Sequence, residues 1–95
     1  MAALWIAHAN LTDEELYGGY VKQATEVLAA HGGEFVARGG RYRQFEGTDH
    51  ARNVVVRFDS FEAAVACYES EAYQAIVGDA IAASERSVVV VEADI

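Results

Sequence analysis

The sequence predicts an α+β domain, an antiparallel four-stranded sheet with its helices on one face. Three observations predict it. Four short stretches (3–9, 34–38, 53–58 and 88–91) are apolar or alternate with the period of a strand. Two longer stretches between them repeat their apolar residues at helical spacing. Capping residues and glycines punctuate the junctions, so the order reads β-α-β-β-α-β over one small unit, residues 1–95.

Each element has its own grounds. Residues 3–9 are short and apolar and end at Asn10, as a buried strand does. Thr12 with Glu15 forms a capping box, Leu11 with Leu16 the matching staple, and Asp13, Glu14 and Glu15 suit the positive end of a helix dipole. Leu16, Tyr20, Ala24, Val27 and Leu28 make a helical stripe that Gly32 and Gly33 stop near His31. Glu34–Arg38 reads as a strand, Gly39-Gly40 as a break or bulge, and Tyr42–Glu46 as a resumption of the alternating pattern before a turn at 47–51. Asn53–Phe58, with three valines in a row, is the clearest strand. Asp59 with Glu62 is placed to cap the helix through Phe61, Ala64, Val65 and Tyr68, and Ser70 to restart it through Tyr73, Ile76 and Ala80. Ser84–Arg86 reads as a turn, and four consecutive valines at 88–91 suit burial on both faces.

That order specifies the split βαβ, or ferredoxin-like, motif. Its helices cover one sheet face only, yet the strands are apolar on both. A two-fold homodimer with sheet faces opposed is the expected remedy. Composition points the same way. Of 50 hydrophobic residues 18 are alanine and 12 valine, so the core is thin for a chain of 95 residues.

Charge and composition exclude several classes. A net charge of −8 argues against nucleic acid and against anionic membrane surfaces. No apolar run spans a bilayer, and one cysteine, Cys67, fits a reducing compartment, so a soluble cytoplasmic protein is expected. Three scattered histidines and that single cysteine have no metal-ligand spacing, and no Gly-x-Ser-x-Gly nucleophile motif occurs, so no metal or other cofactor is expected. Charge is uneven along the chain. Arg38 to Arg57 holds five arginines against Glu46 and Asp49, and an anion site is expected in that middle third.

Trp5-Ile6-Ala7-His8, Gly32-Gly33-Glu34-Phe35, Arg38-Gly39-Gly40, Glu46-Gly47, Val55-Val56-Arg57-Phe58 with Ser60, Tyr68-Glu69-Ser70, Tyr73-Gln74 and Val91-Glu92 follow one another in a characteristic order. In that order and spacing the chain resembles the domain of unknown function 1330 family, in the dimeric α/β-barrel superfamily, over nearly its whole length. The resemblance implies a ferredoxin-like dimer and no particular activity. Related barrels include cofactor-free monooxygenases, muconolactone-isomerase-like enzymes and stress-response dimers, an analogy of fold. The chain departs from its relatives at Glu14 and Glu71, where proline is common, and at Ala80, which aligns with an arginine in many of them.

Side chains alternate across a strand, so the chemistry-bearing residues can be sorted by face. Val54, Val56 and Phe58 suit the helix side, which places Asn53 and Arg57 opposite. Phe35 and Ala37 suit the helix side, which places Arg38 opposite. In the first strand Ala7 and Ala9 suit the helices, and His8 and Asn10 the other face. His8, Asn10, Arg38, Asn53 and Arg57 are thus expected to line a cleft between sheet and dimer partner, with the backbone of Gly39 and Gly40 open to a ligand. Two guanidiniums there can clamp a small, partly apolar anion, and a neutral His8 can serve as acid–base in cofactor-independent proton transfer, isomerisation or oxygenation. The alternative is a non-catalytic dimer in which Arg38 and Arg57 pair with carboxylates such as Glu92 or Glu46 and His8 is a structural histidine. Tyr17, Tyr20, Tyr68 and Tyr73 sit at core-like spacings and read as packing residues.

Overall fold

The computed structural model describes residues 1–95. Its elements run β1 (Ala2–Leu11), α1 (Glu14–Ala30), β2 (Glu34–Arg38), β3 (Arg52–Phe58), α2 (Phe61–Glu69), α3 (Glu71–Ala82) and β4 (Ser84–Ala93). The strands form one antiparallel sheet in the order β2-β3-β1-β4, the ferredoxin-like arrangement, and the sheet is not closed. No helix is long and apolar enough to cross a membrane.

The helices lie on one face, and alternation decides what meets them. From β1 the small Ala3, Ala7 and Ala9 and the single Trp5 point inward, so the helices approach closely around one large ring. Trp5 stacks on Phe58 at 6.0 Å and meets the edge of Tyr73 at 5.1 Å. Pairs of this kind add about 0.5–1.5 kcal/mol beyond area burial. Gly33 sits where chain and core touch, for a Cβ there would lie 2.8 Å from the Leu28 carbonyl oxygen and 3.0 Å from the side chains of Phe58 and Val56.

The helix starts differ in detail from the sequence reading. α1 is capped by Asp13, whose carboxylate accepts from the Leu16 N–H at 3.0 Å, so the box drawn from Thr12 begins one residue early. α2 is capped by the Ser60 hydroxyl, which accepts from Ala63 N–H at 3.0 Å, in place of Asp59. Ser70 does restart the helix. Its hydroxyl donates to the Cys67 carbonyl at 2.7 Å and accepts from Tyr73 N–H at 3.2 Å, closing α2 and opening α3 with one side chain.

Two strand expectations are corrected. Tyr42–Glu46 forms no strand. Gly39, at φ 69°, and Gly47, at φ 81°, turn the chain out of the sheet, and this segment has no neighbouring strand to pair with. Ser84–Arg86 is no turn but the start of β4, paired to Leu11, Asn10 and Ala9 of β1. The helix N-terminus of α1 explains the extension, because Thr12 and Asp13 N–H groups both donate to the Ala83 carbonyl and tie the β1 end to the β4 start.

The other sheet face is bare. Val36 is 62% exposed, Val89 54% and Val91 45%, unusual values for β-branched residues in a sheet. Beside this face the 39–51 loop holds up Phe45, 82% exposed.

Candidate functional site

The face sorting places most of the expected residues correctly but misplaces Arg38. The β2–β3 register runs Phe35↔Val56, then Ala37↔Val55 and Arg38↔Val54, with a bulge at Val36. The extra residue reverses the alternation, so Arg38 shares the helix face with Val54 while Ala37 turns away. Its guanidinium lies 4.1 Å over the Phe35 ring and donates to the Thr25 hydroxyl of α1 at 2.5 Å. Arg38 and Arg57 therefore stand on opposite faces and cannot clamp one ligand.

Nor do His8 and Arg57 converge. His8 pairs with Asn53 across β1 and β3, and Leu4 pairs with Arg57, four positions along the strand and about 13 Å away. Arg57 meets its near neighbour Asp59 at 3.4 Å, an exposed pair of little energetic weight. His8 Nδ1 lies 2.6 Å from Asn53 Oδ1, and Asn53 Nδ2 donates to the His50 carbonyl at 3.0 Å. Asn10 is a loop staple, donating to the Asp49 carbonyl at 2.8 Å and accepting from Ala51 N–H at 2.9 Å. These bonds pin the long loop to the bare face and leave His8, Asn10 and Asn53 already engaged within the chain. Gly40 has no close neighbour, whereas a Cβ on Gly39 would stand 3.4 Å from Arg52 Nη1.

The site the structure does assemble lies on the other side of the sheet, between α1 and the strands. A chamber of about 40 Å³ opens there, walled by Trp5, Val21, Ala24, Leu28, Phe35 and Val54. That volume takes a carboxylate-sized head group or a few waters. Three arginines are among its lining residues, Arg38, Arg52 and Arg86. Arg52 on β3 and Arg86 on β4 both pair with Ala9 on β1. Adjacent strands are about 4.8 Å apart, so the two arginines flank a bare methyl group at about 10 Å between their Cα atoms. Two tyrosines of α1 form the roof. Arg52 lies 5.8 Å from the Tyr17 ring centre, and Arg86 lies 5.2 Å from that of Tyr20.

Arg86 is the centre of this arrangement. Its Nη2 donates to the Tyr73 hydroxyl over a long 3.5 Å, while its Nε and Nη1 are fully buried with no hydrogen-bond partner. A buried unpartnered donor costs about 1–3 kcal/mol, and more when charged. The Tyr73 and Tyr20 hydroxyls are 2.6 Å apart and share one proton between them, which leaves a second phenolic proton uncommitted. Burial, then the neighbouring Tyr20, pushes the Tyr73 phenol well above its ordinary range, and burial raises Tyr17 as well. Both are hydrogen-bond donors, not bases, at neutral pH. Burial works against the Arg86 charge, but the surrounding tyrosine oxygens outweigh it and the guanidinium titrates above its ordinary value. The chamber thus carries guanidinium and phenol donors, hydroxyls as its side-chain acceptors and no carboxylate.

No His, Asp, Glu or Cys lines it. Proton transfer by a side-chain base is absent from its repertoire, and stabilisation of negative charge on oxygen is what it offers. No group of three or more His, Cys, Asp or Glu stands where it could hold a metal ion. Cys67 is buried in the core, and burial pushes its thiol up to about 11, which makes it inert.

Arg52 and Arg86 are not among the candidates the sequence offers, and Tyr17, Tyr20 and Tyr73 read there as packing residues, in keeping with their burial in the core. One signal for the arginines was present. Arg52 continues the Val54, Val56, Phe58 face by one step, and Arg86 continues the Val88, Val90 face, so each is an arginine on a face otherwise apolar.

Solved structures with this fold include a protein of unknown function from Rhodopseudomonas palustris, at TM-score 0.80 and 16% identity over 97% of this chain and 82% of that one. The cofactor-independent oxygenase SnoaB from Streptomyces nogalater matches at TM-score 0.71 and 10% identity, over 99% of this chain and 94% of that one. A dimeric ferredoxin-like protein of unknown function from Thermobifida fusca matches at TM-score 0.57 and 15% identity, over 98% and 92%. At such identities the likeness is one of fold. No curated protein matches the sequence. Residues 2–94 match the family described as Domain of unknown function (DUF1330), and the chain belongs to that family.

Proposed function

We propose that the chain binds a small, partly apolar organic anion in the chamber between α1 and the sheet, with Arg86 and Arg52 as its clamp and Arg38 at its mouth. The observation that carries this reading is Arg86. A chain with 15 acidic side chains buries two guanidinium nitrogens beside apolar walls and supplies neither with an acceptor. A ligand oxyanion brought against Arg86 completes that donor set, and the chamber, at about 40 Å³, admits the head group and leaves the carbon body at its mouth. Where turnover accompanies binding, the guanidiniums and phenolic protons stabilise charge that develops on a substrate oxygen, and in cofactor-independent isomerisation or oxygenation the substrate proton would pass to solvent or to a basic group of the substrate itself, since no side-chain base lines the chamber. One structural neighbour is a cofactor-independent oxygenase, which supports the reading at the level of fold alone.

We place this site in a homodimer closed over the bare sheet faces, with His8, Asn53 and the loop at the seam, and the whole in the cytoplasm. The alternative, a non-catalytic dimer held by arginine ion pairs, loses one of its two arginines because Arg38 faces the helices.

Thermal unfolding with pentanoate, against chloride at the same ionic strength, tests the location. At about ten times Kd the ligand adds about 1.4 kcal/mol, a rise of roughly 6–11 °C for a domain this size. The rise is expected to survive Arg57→Ala and to vanish in Arg52→Gln. It stays level from pH 6 to 9, because Arg86 titrates above its ordinary value and burial raises the Tyr17 and Tyr73 phenols. A rise lost in Arg57→Ala and kept in Arg52→Gln would move the site to the bare face.

A further inference from the structure

We infer that the 39–51 loop is an arm that clasps a second copy of this chain, seating Phe45 in a groove between the partner's α2 and β4. The inference rests on the reading of the protein as a homodimer closed over its bare sheet faces. Two features that a single chain leaves unused carry it. The first is the arm. Every residue from Gly39 to Asp49 is exposed, and near the tip Phe45 offers 82% of its surface to water. An aromatic of that size is ordinarily buried. Yet the arm is tied down. Asn10 holds the Asp49 carbonyl and the Ala51 N–H, the Tyr42 hydroxyl donates to the Asp49 carboxylate at 3.1 Å, and the Gln44 amide donates to the Glu46 carbonyl. An arm ordered before contact loses less entropy on docking.

The second is the groove. It measures about 200 Å³ and is lined by Val65, Tyr68, Val88 and Val90, with Glu69 as its one charged residue. It lies on the helix side of β4, an edge strand, whereas Asn10 ties the arm to the bare side. The apolar slot suits a phenyl ring. The Arg43 guanidinium, 5.9 Å from the Phe45 ring centre, brings a cation to the acid at the rim. Neither Arg43 nor Glu69 has an ion-pair partner within the chain, whose one ion pair joins Arg57 to Asp59.

Strand order unites the two between copies. With sheet faces opposed and the two-fold axis parallel to the strands, the β2 edge of one copy lies over the β4 edge of the other. An axis across the strands would stack β2 on β2 and leave arm and groove empty. The arm leaves the sheet at Gly39, whose N–H donates to the Asn53 carbonyl at 2.9 Å, in the row of His8 and Ser87. In the partner that row adjoins Val88. Phe45 is six residues beyond Gly39, a reach of up to about 20 Å, and packed sheets stand about 10 Å apart.

Sedimentation velocity and disulfide trapping test this in the intact chain. The wild type is expected to be a dimer at 10 μM. Phe45→Ser is expected to raise its dissociation constant at least about a hundredfold, because each dimer loses two seated rings. After subunit exchange under oxidising conditions, Glu46→Cys chains are expected to cross-link to Glu69→Cys chains and not to Glu62→Cys chains, whose thiol lies at the other end of α2. A wild-type dimer that Phe45→Ser leaves unweakened, or cross-links that form with neither partner or with both alike, overturn the arm and leave the dimer standing. A wild-type monomer at 10 μM removes the dimer and the arm with it.

Discussion

Arg86→Met is expected to raise the melting temperature of the ligand-free protein while abolishing its response to carboxylates. Most substitutions at a half-buried, partly bonded position destabilise. Here the balance reverses. Nε and Nη1 of Arg86 are buried without partners, and each orphaned donor costs about 1–3 kcal/mol that methionine does not incur. Methionine keeps the aliphatic stem and fills the space flexibly. Against this stand the contact of the guanidinium with the Tyr20 ring, about 0.5–2 kcal/mol for such pairs, and a bond to Tyr73 too long to weigh much. The expected net gain is about 1–2 kcal/mol, roughly 5–10 °C. A residue whose removal stabilises the fold is one kept for binding. A fall of several degrees with the carboxylate response intact would make Arg86 structural instead.

The second large effect concerns the bare sheet face. Val89→Asp is expected to convert a dimer into a monomer at 10 μM by sedimentation velocity. Val89 lies on the face away from the helices, beside Ile6 and close to Val91, and more than half of its surface is exposed in the single chain. Two-fold symmetry brings each substitution into the interface twice. Desolvating an unpaired carboxylate costs several kcal/mol, so two of them weaken association by at least about 10³-fold. The chamber lies on the other face, so the helix side of the sheet keeps its packing. Wild-type protein running as a monomer at that concentration would contradict the proposed assembly.

The element order was legible because each signal was local. Valine runs, glycine stops and serine caps act within a few residues, and Ser70 shows how one side chain can end one helix and begin the next. The site was less legible because faces depend on register. A single bulge at Val36 carried Arg38 from one face to the other, and nothing in Glu34–Arg38 alone marks it. Asp13 and Ser60 took the caps from Thr12 and Asp59, since several residues at each helix start were competent and the chain path chose between them. The chamber arginines were hidden by strand ends. With β3 read from Asn53 instead of Arg52, and β4 from Val88 instead of Ser84, both arginines fell outside the elements whose faces were being sorted. Tyr20 and Tyr73 stand 53 residues apart in the chain on different helices, and no local pattern brings their hydroxyls together.

The most direct test is an NMR titration of the arginine Nε–H signals with pentanoate. The Arg86 signal is expected to shift saturably, and that of Arg52 with it on the same isotherm, while Arg57 stays unmoved. Uniform small drifts of all the arginines, or a saturable shift at Arg57 with Arg86 silent, would contradict an anion site beneath α1.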